Sequence, residues 1–599
     1  MGHDTLLHYQ VSMSQPETHL FEVYLRINQK QLSETIPPSR LLNLKMPVWT
    51  PGSYLVREYA RHLQDFQVTD QQGRNLPWGK LGKNHWQIQL DSEASEMNAL
   101  RTDMLQSIHV SYRIFANDLT VRTNHLDTTH GYFNGAALFF FIPGCEHCPL
   151  QIEIVAPDSW KVATTLPQVP DQPHTFLAQD FDTLVDSPVE IGVHQCYEFE
   201  VEGKPHQWVV WGKGNLNPER VITDTEKLIA QEARIFGGLP YDRYLFLLHL
   251  SDRGFGGLEH KDSCSLNYPR FGIRAKEKYN RFLQLEAHEF FHLWNVKRIR
   301  PQALEKFDYQ QENYTPSLWF CEGATSFYDG VIPFRAGLFD LATFLKNLSA
   351  NITRLQSIPG RRVQPLSESS WDAWIKLYRR EAHSDNNQVS YYLKGEVVAW
   401  LLDLQIRARH DNQRSLDDVM RRMWQQFGKS EIGYTPAQLQ QVIESVAGIS
   451  LEGFFQRYIH GTEELPYNQH LEPFGLQVKS EMDEAPYLGC RVVSEGGKEK
   501  IRFVAADSPA GQAGIDPDDE LLALNGYRVT AERLLERLKD FCPGDTVELT
   551  VFHQDQLQTY SITLAQPQPK SYKLVSVEAP TPEQKRNFTG WLGCAYRSV

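Results

Sequence analysis

The sequence predicts a multidomain α+β protein, with β structure first, a mostly helical middle, and a compact unit of short strands near the end. Length is the first reason: 599 residues exceed what one hydrophobic core supports. The second is alternation of apolar and polar residues in Phe21-Glu22-Val23-Tyr24-Leu25-Arg26-Ile27 and Val110-Ser111-Tyr112-Arg113-Ile114-Phe115. With turn clusters of Pro, Gly, Asp and Asn between such runs, this reads as a β-sandwich-like domain. The third is helical patterning from about 275 to 460, as in 396–409 and 416–427.

Taken in order, the chain divides into a β domain at 1–200, a catalytic-type domain at 201–470, a β unit at 471–570 and a tail at 571–599. Within the first, Trp49-Thr50-Pro51-Gly52-Ser53-Tyr54-Leu55-Val56-Arg57 is an aromatic turn that serves either packing or the wall of a pocket. Short strands and one helix (225–236) lead to Gly254-Phe255-Gly256-Gly257-Leu258-Glu259-His260, where glycines let a strand edge approach a ligand. Pro466 and Pro473 mark the next boundary. Trp591 and Leu592 predict that the tail docks on the body.

Bulk properties exclude several classes. A formal charge of −14 argues against a nucleic-acid partner. The short basic run Lys297-Arg298-Ile299-Arg300 follows a helix and reads as cations favoured at a helix C-terminus. No apolar run approaches the length of a membrane span. Met1-Gly2-His3-Asp4-Thr5 starts without a charged-then-apolar leader, so the expected location is cytoplasmic and no membrane partner is expected. The eight cysteines form no disulfide framework. Cys145-Glu146-His147-Cys148 has knuckle or redox spacing but no second pair, and reads as a loop with two thiols.

The chemistry concentrates in Leu285-Glu286-Ala287-His288-Glu289-Phe290-Phe291-His292-Leu293-Trp294-Asn295. On a helix His288 and His292 share a face, so both imidazoles can reach one metal ion. Neutral imidazole suits zinc, and a catalytic site needs a third protein ligand plus an open position. Glu289 lies about 100° further round the helix, where it can act as general base on a water at the metal. Arg298 stands where a third histidine would complete a metzincin, which leaves a downstream acid. Of Glu305, Glu312 and Glu322, the first two lie among Lys and Gln. Glu322 lies in the apolar Trp319-Phe320-Cys321-Glu322-Gly323-Ala324, where an unpaired carboxylate would be costly to bury and a metal would remove that cost. Glu322 is the expected third ligand.

Gly-Gly-Leu-Glu-His (256–260), His-Glu-Phe-Phe-His-Leu-Trp-Asn (288–295), Trp-Phe-Cys-Glu-Gly (319–323) and Tyr-Leu-Lys-Gly (392–395) resemble, in that order, the gluzincin aminopeptidases. His288 to Pro301 more specifically resembles the glycyl aminopeptidase family, peptidase family M61. The stretch from Trp49 to His62 and the C-terminal β unit, which is PDZ-like, resemble it too. The gap between the metal histidines and the acid is longer than is usual in the related aminopeptidase N family. The resemblance implies a thermolysin-like catalytic domain, one Zn2+ per chain on His288, His292 and Glu322, and Glu289 as base. It also implies that Glu259 grips a substrate's free α-amine, with Gly256 and Gly257 lining the substrate. His260 and Leu258 depart there from the related pattern of Asn and Met. Tyr392 matches the tyrosine that bonds the oxyanion, with Tyr391 as the adjacent alternative. In Tyr487-Leu488-Gly489-Cys490, Leu488 and Gly489 resemble a loop that binds a peptide's C-terminal carboxylate, though an internal packing role stands equally open. The implied partners are peptides with a free N-terminus and a small first residue such as Gly or Ala. A zinc endopeptidase, and a PDZ scaffold on a relic protease core, are the other readings.

Overall fold

The computed structural model describes residues 5–37, 39–90 and 105–597. Met1–Asp4, part of the stretch searched for a leader, lie outside them. The chain falls into two units, Met1–Tyr314 with Trp424–Tyr434, and Thr315–Met423 with Thr435–Val599.

In the first unit the predicted alternation becomes strands Leu20–Asn28 and Ser107–Phe115, which pair antiparallel with Phe21 opposite Ile114. They belong to a six-stranded sheet in which Leu7–Ser12 runs parallel to Leu150–Val155. Three- and four-stranded sheets complete the β domain. Its core is aromatic: Phe140 meets Phe66, Trp86 and Tyr112 at 5.0–5.6 Å between ring centroids, near edge-to-face, a favoured ring geometry. Cys145 and Cys148 are buried in this core, and burial, with Cys148 and Glu146 adding, pushes the Cys145 thiol up to about 12.

The same unit continues into a five-stranded sheet of Gln195–Val201, Lys204–Trp211, Tyr244–Ser251, Ser263–Pro269 and Gly256–Glu259. Tyr244–Ser251 lies between two parallel neighbours and is buried along its length, as a strand covered on both faces must be. The Gly256–Glu259 strand is therefore the edge of a rigid sheet. The helix Lys276–Phe291 packs against that edge strand and its neighbour. The basic run follows this helix and is held inside the protein. Lys297 and Arg298 are buried; Arg298 donates to the carbonyls of Leu293 and Lys261 at 2.9 and 2.8 Å and pairs with Asp262 at 2.9 Å. These cations fasten the histidine segment to the sheet because internal carbonyls and acids, rather than water, satisfy them.

In the second unit the helix Tyr391–Arg409 is buried nearly all round, so it reads as apolar without a clean stripe. Helices Thr325–Arg335, Leu341–Gln356 and Pro582–Leu592 pack on it. Trp591 lies 5.5 Å from Phe474 and 6.4 Å from Trp400 between ring centroids, so the tail is seated. The PDZ-like unit has its own core, including Leu488, Ile501, Leu524, Leu538 and Val551. A ribbon of Leu476–Met482 paired with Pro569–Ser576 brackets it, and Thr353 and Ser349 hydrogen-bond the ribbon's backbone at Tyr572 and Leu574. Among the described residues no helix is long and apolar enough to cross a membrane.

Candidate metal centre and active site

The helix carrying the two histidines ends at Phe291; His292 is its C-terminal cap and keeps right-handed helical geometry, so His288 and His292 stay on one face. Their Nε2 atoms stand 3.1 Å apart. Nδ1 of His292 faces the carbonyl of Asn295 at 2.5 Å. A carbonyl only accepts, so Nδ1 carries the proton and Nε2 presents its lone pair toward His288. One donor atom each of His288, His292 and Glu322 lies within 4.8 Å of the other two. Two imidazoles and a carboxylate are a zinc donor set, and the residues present fit that ion. His288 is only half-buried, while His292 and Glu322 are 1% and 2% exposed.

Glu289 is buried beside the edge strand. A Cβ on Gly257 would lie 2.2 Å from Cδ of Glu289, so this glycine is what lets the carboxyl sit against the strand. Gly256 has φ +143°, a backbone conformation that favours glycine. Burial pushes the Glu289 carboxyl up to about 7; His288 and His292 pull it down, Glu259 raises it and Arg122 lowers it. Arg122 also donates to the carbonyl of Gly257 at 2.8 Å.

Glu259 is 4% exposed, and its Oε1 is buried with no hydrogen-bond partner. The aromatic turn folds over it. Gly52, with φ +84°, sits so close that a Cβ there would lie 2.7 Å from both carboxylate oxygens. The turn is packed on both sides, with Trp49 against Phe307 and Tyr309 at 5.8 and 6.4 Å between ring centroids and Gly52 against Glu259. His260 is held away from free solvent by Asp186 at 3.2 Å. Burial would raise the Asp186 carboxyl, but Lys297 at 2.6 Å and His260 hold it well below the usual range.

Glu322 lies in a widened π-helical turn, Trp319–Ala324, that opens the helix Thr325–Arg335. Such turns re-aim side chains and recur at functional sites. The glycine after Glu322 permits a close crossing: a Cβ on Gly323 would lie 2.5 Å from the backbone of Gly395. That crossing brings the start of the Tyr391–Arg409 helix alongside Glu322. Tyr391 is fully buried, whereas Tyr392 is partly exposed. Tyr378 hydrogen-bonds both hydroxyls, at 3.2 and 3.0 Å. Burial, with Glu322, Tyr378 and Tyr391 adding, holds the Tyr392 phenol well above its ordinary range, so it stays protonated and able to donate at neutral pH.

In the PDZ-like unit, Gly489 has φ +91° and packs on Ser508, leaving no room for a Cβ. The carbonyls of Leu488 and Gly489 accept from the amides of Ala510 and Ala505, both at 2.9 Å, which fixes the loop. The following strand, Cys490–Glu495, is the edge of its sheet, with the helix Ala531–Leu538 beside it. Three partners gave no signal in the sequence: Arg122, Tyr378 and Asp186. Arg122 and Asp186 act on residues far away in the chain, and Tyr378 on tyrosines 13 and 14 residues further on.

A zinc donor set with one half-buried ligand on a His-x-x-x-His helix, with its third ligand from a later helix and a buried acid on an adjoining strand edge, defines a metallopeptidase of the gluzincin kind. Family models locate the chain more closely: the Peptidase M61 N-terminal domain matches residues 8–193, M61 glycyl aminopeptidase residues 281–398, and a PDZ domain residues 486–564. A crystal structure of an aminopeptidase N family protein from Idiomarina loihiensis is 30% identical, with 98% of this chain and 100% of that one covered and a TM-score of 0.88. The chain belongs to the M61 glycyl aminopeptidase family and is a zinc metallopeptidase. An M1 zinc metallopeptidase from Deinococcus radiodurans (12% identity, 77% and 94% coverage, TM-score 0.46) and the yeast LTA4 hydrolase in complex with bestatin (12%, 77% and 68%, 0.45) are too distant to carry an argument. No curated protein matches the chain.

Proposed function

We propose that this enzyme removes small N-terminal residues, glycine or alanine, from peptides, with Glu259 as the group that recognises the free amine. The observation that carries this reading is a buried carboxylate with an unpartnered oxygen two residues after the strand position that Glu289 covers. An ammonium would satisfy that oxygen, and its strong, charge-assisted hydrogen bonds would set the peptide's register. The glycyl preference rests on the family's description and on the close quarters between Gly52 and Glu259.

Zinc held by His288, His292 and Glu322 would supply the Lewis acidity that makes water a nucleophile near neutral pH and polarises the scissile carbonyl. Glu289 takes the proton of the attacking water and returns it to the departing amine. Its raised affinity for a proton suits both halves of that cycle. Tyr392, kept protonated, donates to the oxyanion that develops on the carbonyl, while Tyr378 and the buried Tyr391 hold it in place. Gly256 and Gly257 leave an open strand edge for the peptide backbone.

The edge strand Cys490–Glu495 after the fixed Leu488-Gly489 loop supports a second role for the PDZ domain, binding the C-terminus of a peptide by strand addition. Against it stands the packing role: Asn386, just ahead of the catalytic-type tyrosines in the chain, bonds the domain's backbone at Val504 and Ala506. Eight unpaired cysteines suit a reducing compartment such as the cytoplasm.

The deciding experiment compares alanyl- and glycyl-anilides with their N-acetylated forms. Cleavage of the free-amine substrates alone, abolished by chelation, is expected. Equal cleavage of the blocked forms would replace this reading with an endopeptidase.

A further inference from the structure

A second cluster of ligand-type side chains lies in the first unit, apart from the catalytic set. His130 begins the strand His130–Phe133, and Glu190 lies on Val189–Gly192, which pairs antiparallel with it. His249 comes from Tyr244–Ser251 in the five-stranded sheet. One donor atom from each lies within 4.8 Å of the other two. All three side chains are at most 1% exposed.

The protons in this cluster can be placed. Asn267 donates its amide to the carbonyl of Leu119 at 3.1 Å, which turns its Oδ1 toward Nδ1 of His249 at 3.0 Å. Nδ1 must therefore be the protonated nitrogen, and Nε2 presents a lone pair to Oε2 of Glu190 at 2.9 Å. Two acceptors at that distance repel unless a cation lies between them. A proton on Nε2 would answer that pair but nothing else. Oε1 of Glu190 and both ring nitrogens of His130 are buried without a hydrogen-bond partner. Buried polar atoms are almost always satisfied. Nδ1 of His130 faces Asp127 at 3.8 Å, which leaves Nε2 of His130 and Oε1 of Glu190 as two orphans that one ion can serve.

We propose that His130, Glu190 and His249 hold a second divalent transition-metal ion, of the zinc class, in addition to the catalytic one. Two imidazoles and a carboxylate are its natural donors. Each histidine also has the outer oxygen that orients metal-bound imidazoles: Asn267 at Nδ1 of His249, and Asp127 3.8 Å from Nδ1 of His130. The neighbouring set His125, Asp127 and His130 is the weaker site. Asp127 is already occupied by Thr129, through backbone and hydroxyl at 2.7 and 2.6 Å, by the amide of His130 at 3.1 Å and by His125 at 3.2 Å.

The His130 ring is also clamped in advance. Trp211 stacks on it at 3.7 Å between centroids, and Gly192, with φ +153°, is so close that a Cβ would lie 2.6 Å from Cβ of His130. The ion would join the four-stranded sheet of the β domain to the sheet whose edge carries Glu259. Its role is structural, since the three ligands leave no exposed face for a substrate.

Zinc per chain, measured by mass spectrometry on full-length protein loaded with excess zinc and desalted, tests this. Two ions are expected in the native chain, one in His249→Gln, and one in the His288→Ala/His292→Ala double variant. One ion in the native chain and none in the double variant would overturn the proposal and leave His249 and Glu190 as an imidazolium–carboxylate pair. Should His249→Gln fail to fold, the count in the native chain and in the double variant still decides. Loss of aminopeptidase activity with two ions bound would strike the functional reading and leave this one standing.

Discussion

The two histidine–carboxylate clusters use the same donor types and differ in what surrounds them. At His288, His292 and Glu322 one ligand is half-buried, a general-base candidate lies beside the set, and an unpartnered acid waits on the next strand edge. At His130, Glu190 and His249 everything is buried, and the outer positions are filled by Asn267, Asp127 and the Trp211 ring. Catalytic zinc needs an open position and structural zinc needs a closed one. The difference therefore separates the two roles without reference to the ligands themselves. Variants should separate them too.

The largest effect belongs to Glu289. Glu289→Gln keeps the volume and removes the base, so kcat is expected to fall at least about a hundred-fold and up to about ten-thousand-fold while metal content stays at the native value. Near-native turnover by a metal-replete variant would break the contrast, because the open cluster would then have no base. Tyr392→Phe follows, with a loss of about a hundred- to a thousand-fold, chiefly in kcat. Tyr391→Phe removes only one of the two hydroxyls that Tyr378 contacts and should cost far less. If the two variants rank the other way, the buried tyrosine is the donor and the partly exposed one its support.

Glu259→Gln comes next. Losing a charge-assisted contact of a few kcal/mol should lower kcat/KM for free-amine substrates about ten- to a hundred-fold. Discrimination against N-acetylated substrates should shrink with it. Gly52→Ala should have the same signature in weaker form, since its Cβ would press on both oxygens of Glu259 from the other side. A uniform drop on free and blocked substrates alike would assign Glu259 to structure.

How legible these sites are follows from how local they are. His288, Glu289 and His292 lie within one and a half helical turns, where spacing alone brings them together. Glu322 betrays itself as an acid in an aromatic run, and the π-helical turn that aims it gives no sign in the sequence. Glu259 and Tyr392 are recognisable only through their resemblance to a family pattern. The β domain was readable from alternation, and the buried helix Tyr391–Arg409 only from its apolar character. The contacts of Gly52 with Glu259, Arg122 with Gly257 and Tyr378 with Tyr392 are made by the fold, and no periodicity encodes them. The His130 cluster is the extreme case. Its three ligands come from three strands separated by long stretches of chain, and each looks like an ordinary core residue.

A change in stability rather than in activity tests the premise that an orphaned buried atom means a missing ligand. Lys394 is 2% exposed and its Nζ has no partner among the described residues, and it lies in none of the ligand-type clusters they form. Burial pushes its ammonium down to about 8, with Glu464 opposing and Arg361 adding. A base whose pKa is lower in the folded chain than in the unfolded one destabilises the fold while both states are charged. Stability should therefore rise with pH between about 8 and 10.5, by about 1.4 kcal/mol per pH unit, as the folded chain sheds the proton first. Lys394→Met should then raise stability at pH 7 by up to roughly 3 kcal/mol and flatten that rise, read from denaturant midpoints. A destabilised variant would mean that Lys394 has a bound partner of its own. A stabilised one would show that an isolated orphan is a cost to the fold, and that convergence of several orphans is what distinguishes a site.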